Sequence, residues 1–134
     1  MGYLNTAKTF DVWRHLEGDA HRLLLYMAHV SRDQHSPPTA RIKLAHALKA
    51  LALEHHPDQT AAAERAKAGM RELIRVGAVV RGVPAPHDRL STEWCLCLEP
   101  GWTFVPRGKY TNEHGNLASH WMRVRLPDEE AQAA

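Results

Sequence analysis

The stretch Ala66-Lys67-Ala68-Gly69-Met70-Arg71-Glu72-Leu73-Ile74-Arg75-Val76-Gly77-Ala78-Val79 decides how this chain is read. Stepping 100° per residue from Met70 places Ala63, Ala66, Leu73, Ile74 and Gly77 on its side of a helix. Ala61, Glu64, Arg65, Ala68, Arg71, Glu72 and Arg75 fall on the far side. The segment therefore predicts an amphipathic helix with one apolar face and one small-residue, basic face. Asp58 or Thr60 is placed to cap its start. Gly77 is placed to end it, because glycine takes the left-handed conformation that closes a helix. A β-branched run, Ala78 to Val83, follows at once and predicts a strand.

Upstream, Leu23, Leu24, Met27, Ala28 and Val30 recur at helical spacing from Ala20 to Arg32, with Asp19 as the expected N-cap. Ser36-Pro37-Pro38 breaks that helix. The next is expected from near Thr39, with Ile42, Leu44, Ala45, Leu48, Leu51 and Ala52 on its core side. His55-His56-Pro57-Asp58-Gln59 stops it, since proline cannot continue the hydrogen-bond ladder. Phe10, Val12, Trp13 and Leu16 suggest a short helical turn ended by Gly18. Downstream, Pro84 to Ser91 reads as a loop. Thr92 to Leu98 alternates, with Trp94, Leu96 and Leu98 on one face and Glu93, Cys95 and Cys97 on the other. Trp102 to Val105 is a short strand candidate, Pro106 to Ser119 a long polar loop, and His120 to Leu126 a further alternating strand.

Three helices followed by a β-hairpin is the order of a winged helix, and the quoted residues carry that resemblance. Asp19 to Ala28 looks like the first helix of such domains. Arg41-Ile42-Lys43-Leu44-Ala45-His46-Ala47-Leu48 looks like the second. Leu73-Ile74-Arg75-Val76-Gly77 is similar to the Leu-x-x-x-Gly end of a recognition helix passing into the wing. The alanine- and arginine-rich style, with a Pro-Asp insertion before the third helix, is similar to winged helix-turn-helix proteins of actinobacteria and of their phages and plasmids. The expected class is α+β: a helical bundle, an antiparallel wing and an extra C-terminal hairpin. The expected division is a lead-in at 1–18, the winged helix at 19–98, a hairpin extension at 99–127 and a disordered acidic tail at 128–134.

What the resemblance implies is sequence-specific binding of double-stranded DNA by a transcription or replication regulator of a mobile element. The recognition helix, about 60–76, would lie in the major groove, with its N-terminal residues on base edges. The base-contact candidates are Gln59, Thr60, Glu64, Arg65 and Ala68. Arginine suits guanine, glutamine suits adenine, and alanine suits the thymine methyl. The backbone candidates are Arg41, Lys43, Lys49, Lys67, Arg71, Arg75 and, at the wing tip beside His87, Arg89. The plain alternative for each is a solvated charged surface.

Charge agrees with an anionic partner. The 134 residues carry a formal net charge of only +2. The last seven hold three acids and no base, so residues 1–127 carry 17 bases against 12 acids, a net +5. The excess lies in residues 39–49, 60–76 and 101–126. In the late hairpin, Trp102 and Trp121 lie among Arg107, Lys109, Arg123 and Arg125. Trp102 is expected over the sheet, and Trp121 under the long loop or at a subunit contact. The two tryptophans are the candidate anchors of a partner interface, either a homodimer or a host protein docked by a winged-helix adaptor.

Other classes have less support. Length and composition suit one globular domain. No apolar run approaches the roughly 18 residues of a membrane span, and Met1 to Phe10 lacks the pattern of a secretory signal, so a cytoplasmic protein is expected. Two cysteines spaced Cys95-x-Cys97 fit a reducing compartment. No phosphate loop, nucleophile elbow or paired carboxylates suggest an enzyme, and no cofactor is expected. His55, His56, His114, His120 and the cysteine pair lack the spacing of a standard metal site. A metal-responsive repressor is accordingly the weakest of the alternatives.

Overall fold

The computed structural model describes residues 2–31, 37–82, 93–111, 113, 115 and 117–127. Four helices and two antiparallel sheets make an α+β fold, in the order α1 (Tyr3–Val12), α2 (Gly18–Val30), β1 (Thr39–Arg41), α3 (Leu44–Ala50), α4 (Gln59–Arg75), β2 (Val79–Arg81), β3 (Glu93–Leu96), β4 (Trp102–Thr111) and β5 (Leu117–Arg125). The first sheet has strand order β1-β3-β2, and β4 pairs with β5 in the second.

The core forms where helices α2, α3 and α4 meet one face of the first sheet. Leu23, Leu24, Met27, Leu51, Leu73 and Leu96 are fully buried there, with Val79 and Leu98 closing the sheet side. Helix α4 approaches α2 closely because residue 69 is glycine: a Cβ there would lie 2.7 Å from Leu23 Cδ1. Gly77 ends α4 as expected. Its φ is +81°, its N–H donates to Ile74 O at 3.1 Å, and Ala78 N–H donates to Leu73 O at 2.9 Å. Those paired bonds satisfy carbonyls that the helix end leaves open.

Several expectations are corrected. The third helix does not start at Thr39. Residues Thr39–Arg41 form β1, with Thr39 opposite Cys95 and Arg41 opposite Glu93, and Leu96 N–H donates to Pro38 O at 2.9 Å. The prolines at 37 and 38 favour extended backbone before it, and β-branched Thr39 suits a strand. The helix that follows is only Leu44–Ala50. Asp19 does not cap α2. That helix begins at Gly18 after Glu17, with no side-chain cap, and the Asp19 carboxylate is held by Arg65 instead.

The apolar face of α4 is also rotated. Ala62, Ala66, Gly69 and Leu73 are its buried residues. Met70 is half-buried, and Ile74 is 48% exposed. Burial selects the small residues because α2 lies so close.

The N-terminal segment is more than a short turn. Helix α1 docks on α2 through a buried polar contact, Asn5 Nδ2 donating to Ser31 Oγ at 2.8 Å. Trp13, just after it, donates its indole N–H to Cys97 O at 2.8 Å, tying this end to the sheet.

The long polar loop expected at 106–119 is mostly strand. Trp102 pairs with Arg125, Val105 with Met122 and Tyr110 with Ala118, and the register shifts between Pro106 and Lys109. Proline and Gly108 read as breakers, yet Pro106 keeps its place opposite Trp121, and a bulge between it and Lys109 takes up Gly108. The loop expected as a wing tip at Pro84 to Ser91, with His87 and Arg89, and the acidic tail at 128–134 lie outside the described residues.

Candidate nucleic-acid interface

Helix α4 presents the surface on which the base-reading expectation rests. Its first turn is fixed by Asp58, whose side chain accepts from Ala61 N–H at 3.0 Å. Asp58 N–H in turn donates to His56 Nδ1 at 3.0 Å. Gln59 bends back, donating its amide to His56 O at 2.7 Å. This base-contact candidate therefore serves the turn before the helix. Thr60, Glu64 and Ala68 are exposed along the outward face.

Arg65 is engaged within the chain. Its Nε donates to Asp19 Oδ2 at 2.6 Å and its Nη2 to Asp19 Oδ1 at 3.0 Å. This two-pronged bond joins α2 to α4 and raises the guanidinium pKa, through the hydrogen bond first and the charge second. Arg75 is similarly held by Glu72, with Nε donating to Oε2 at 2.9 Å. That bond lowers the Glu72 pKa. Lys67 stands 3.5 Å from Glu64. Arg71 is exposed on the same helix with no ion pair recorded among the described residues.

The other backbone candidates divide. Lys43 and Lys49 are exposed on and beside α3. Arg41 lies on β1 with Nη2 3.8 Å from Glu93 Oε2. Arg89 lies outside the described residues. Lys43, far from Lys67 and Arg71 in sequence, joins those two α4 residues on one groove of about 350 Å³ between α3, α4 and Trp94.

Sequence reasoning missed that groove. Ile42, Leu44, Met70 and Ile74 line it together with Trp94. All four have helical apolar spacing and were expected on the core side. Ile42 and Met70 do pack against the core, but Leu44 and Ile74 are exposed, because spacing does not distinguish a core from a groove at its edge. The rotation of α4 by its small residues is what leaves Met70 and Ile74 on the groove side.

The late hairpin covers the other face of the first sheet. Cys95 and Cys97 are buried against Phe104, with Val80 and Trp121 packed around them. Trp121 donates its indole N–H to Glu93 Oε1 at 3.2 Å, and Ser119 N–H donates to the same oxygen at 2.9 Å. Trp121 is thus half-buried within its own chain. Trp102 carries the Arg123 guanidinium 3.8 Å from its ring centre and Arg125 at 5.8 Å. Arg123 also reaches Glu99 at 2.6 Å. The two cysteines are free thiols. Their mutual hydrogen bond pulls Cys97 down to about 7 and pushes Cys95 up, with burial adding to the rise.

Among the described residues, no group of three or more His, Cys, Asp or Glu side chains is placed to hold a metal ion. No described helix is long and apolar enough to cross a membrane. Comparison with protein-family models, curated proteins and solved structures found no match.

Proposed function

We propose that this chain is a winged-helix protein that binds double-stranded DNA through α4, as a transcription or replication regulator. One observation carries the reading: a short strand β1 sits between α2 and α3, and its sheet has the order β1-β3-β2 beside the three helices. That arrangement backs α4 with a core and leaves its opposite face outward. In such domains the outward face of this helix enters the major groove.

The ion pairs reassign roles within the proposal. Arg65 is held on two prongs by Asp19 of α2, so base reading falls to Thr60, Glu64, Ala68 and Arg71. The exposed Arg75–Glu72 and Lys67–Glu64 pairs are screened contacts that leave Arg75 and Lys67 able to meet phosphates. Lys43, Lys49 and Lys67 supply phosphate contacts, which position the protein without reading sequence. Arg65 becomes a positioning residue that sets the angle of α4 against α2. Binding as a dimer would place two half-sites about one turn of DNA apart.

A mobility-shift measurement with duplex fragments flanking the protein's own gene, at two salt concentrations, tests this. A retarded complex that weakens with salt is expected, because phosphate contacts release counterions. Lys43→Ala should weaken all duplexes alike and reduce the salt slope by about one. Arg71→Ala should weaken the preferred duplex more than the others. No complex at low salt would sink the reading.

A further inference from the structure

The groove between α3 and α4 shares Lys43, Lys67 and Arg71 with the surface assigned to DNA above, and adds an apolar wall that a DNA backbone would not use. Its apolar wall consists of Ile42, Leu44, Met70 and Ile74, with Trp94 also lining it. Leu44 is 47% exposed and Ile74 48%. Both line the groove, Leu44 as the first residue of α3 and Ile74 in the last turn of α4. Three lining residues are cations, Lys43, Lys67 and Arg71, and none is acidic. Glu64 nearby pairs with Lys67 at 3.5 Å across exposed surface, a solvent-screened contact that a better-placed anion displaces.

We propose that this groove seats an acidic, amphipathic peptide segment of a partner protein, bulky apolar side chains against Met70, Ile74 and Trp94 and carboxylates on Lys43, Lys67 and Arg71. The volume of about 350 Å³ falls in the range of roughly 300–1,000 Å³ typical of ligand clefts. A helix laid in an apolar groove presents anchors at i, i+3, i+4 and i+7, which suits two rims set by two helices. Phosphates would engage the three cations but offer nothing to Leu44 and Ile74. Charge complementarity together with the apolar wall therefore selects an acidic peptide. The inference stands whether or not α4 binds DNA.

The test uses the full chain and a labelled synthetic peptide with Leu and Trp on one helical face and Glu on the other, followed by fluorescence anisotropy. Saturable binding is expected. It should be lost when Ser replaces the peptide's Leu and Trp, and lost when Lys replaces its Glu. The double variant Leu44→Ser/Ile74→Ser should weaken binding about tenfold or more, and Arg71→Glu should do likewise. Both changes lie on exposed side chains, and an unchanged melting curve verifies the fold. Absence of saturable binding overturns the proposal, as does equal binding of the Ser-substituted peptide. A duplex that loses as much affinity as the peptide in the Leu44→Ser/Ile74→Ser variant would assign the groove to nucleic acid, and that too overturns it.

Discussion

The helical unit and the β4–β5 hairpin are stabilised in different ways. The first closes a core of large aliphatic side chains drawn from residues 16 to 98, with Leu23, Leu24, Met27, Leu73 and Leu96 at zero exposure. The second stands on a small cluster, Cys95, Cys97 and Phe104 with Trp121 and Val80. A few polar contacts to Glu93 add to it. A two-stranded hairpin is marginal alone in water, so this one depends on the sheet face it covers. The covered face in turn depends on the hairpin, since it consists of residues that would otherwise face water. One unit is built from area, the other from a few specific anchors.

The largest expected effect lies in the first unit. Leu73→Ala removes a fully buried side chain between α4 and the sheet, and should cost about 3 kcal/mol, within the usual range for such cavities. Denaturant unfolding followed by helical circular dichroism measures it. A loss below about 1 kcal/mol would mean the core relaxes around the cavity and is not the rigid half of the molecule.

Glu93→Ala attacks the second unit. It removes the acceptor for Ser119 N–H and Trp121 N–H and a partner of Arg41. A loss of about 1–3 kcal/mol is expected for such half-buried groups left unsatisfied. Amide exchange should rise in β4 and β5 while α2 and α4 stay protected. Equal loss of protection across all four elements would show that the two units unfold as one, and the contrast would fall.

The smallest effect concerns the thiol pair between the sheets. Cys97 is held at about 7 in the folded chain against an ordinary 9.0. A depressed acid stabilises the fold above its unfolded value and loses that contribution as pH falls through its folded value. Stability should therefore rise between about pH 7 and 9. Cys95 is shifted the other way, so it opposes stability above about pH 9. Melting temperature against pH should show a shallow maximum near 9, and Cys95→Ser/Cys97→Ser should flatten it. A wild-type profile already flat from 7 to 10 would show that the thiols do not titrate as a pair.

How much of this was legible depends on range. Helices α2 and α4 announce themselves by periodicity, and Gly77 by its place after Leu73-Ile74-Arg75-Val76. The alternation of Trp94, Leu96 and Leu98 against Cys95 and Cys97 also holds: the first set joins the main core and the second the hairpin cluster. Strand β1 was not legible, because three residues are too few for a period of two to register. Most of β4 was hidden by Pro106 and Gly108, since a bulge is a property of two strands together. The Arg65–Asp19 contact spans 46 residues, and no local pattern encodes it.

By itself the sequence determined the order of the principal helices, the end of α4, the two faces of β3 and the excess of positive charge on residues 1–127. Each is a matter of neighbouring residues or of counting, so each survives without coordinates. Tertiary structure alone decided which way α4 faces, that Arg65 is already held by Asp19, and that Leu44 and Ile74 are exposed along a groove beside Ile42 and Met70, which pack against the core. The reason is close approach. Gly69 and the alanines let α4 settle against α2, and that choice of contact face turns Met70 and Ile74 toward Lys43 and Leu44.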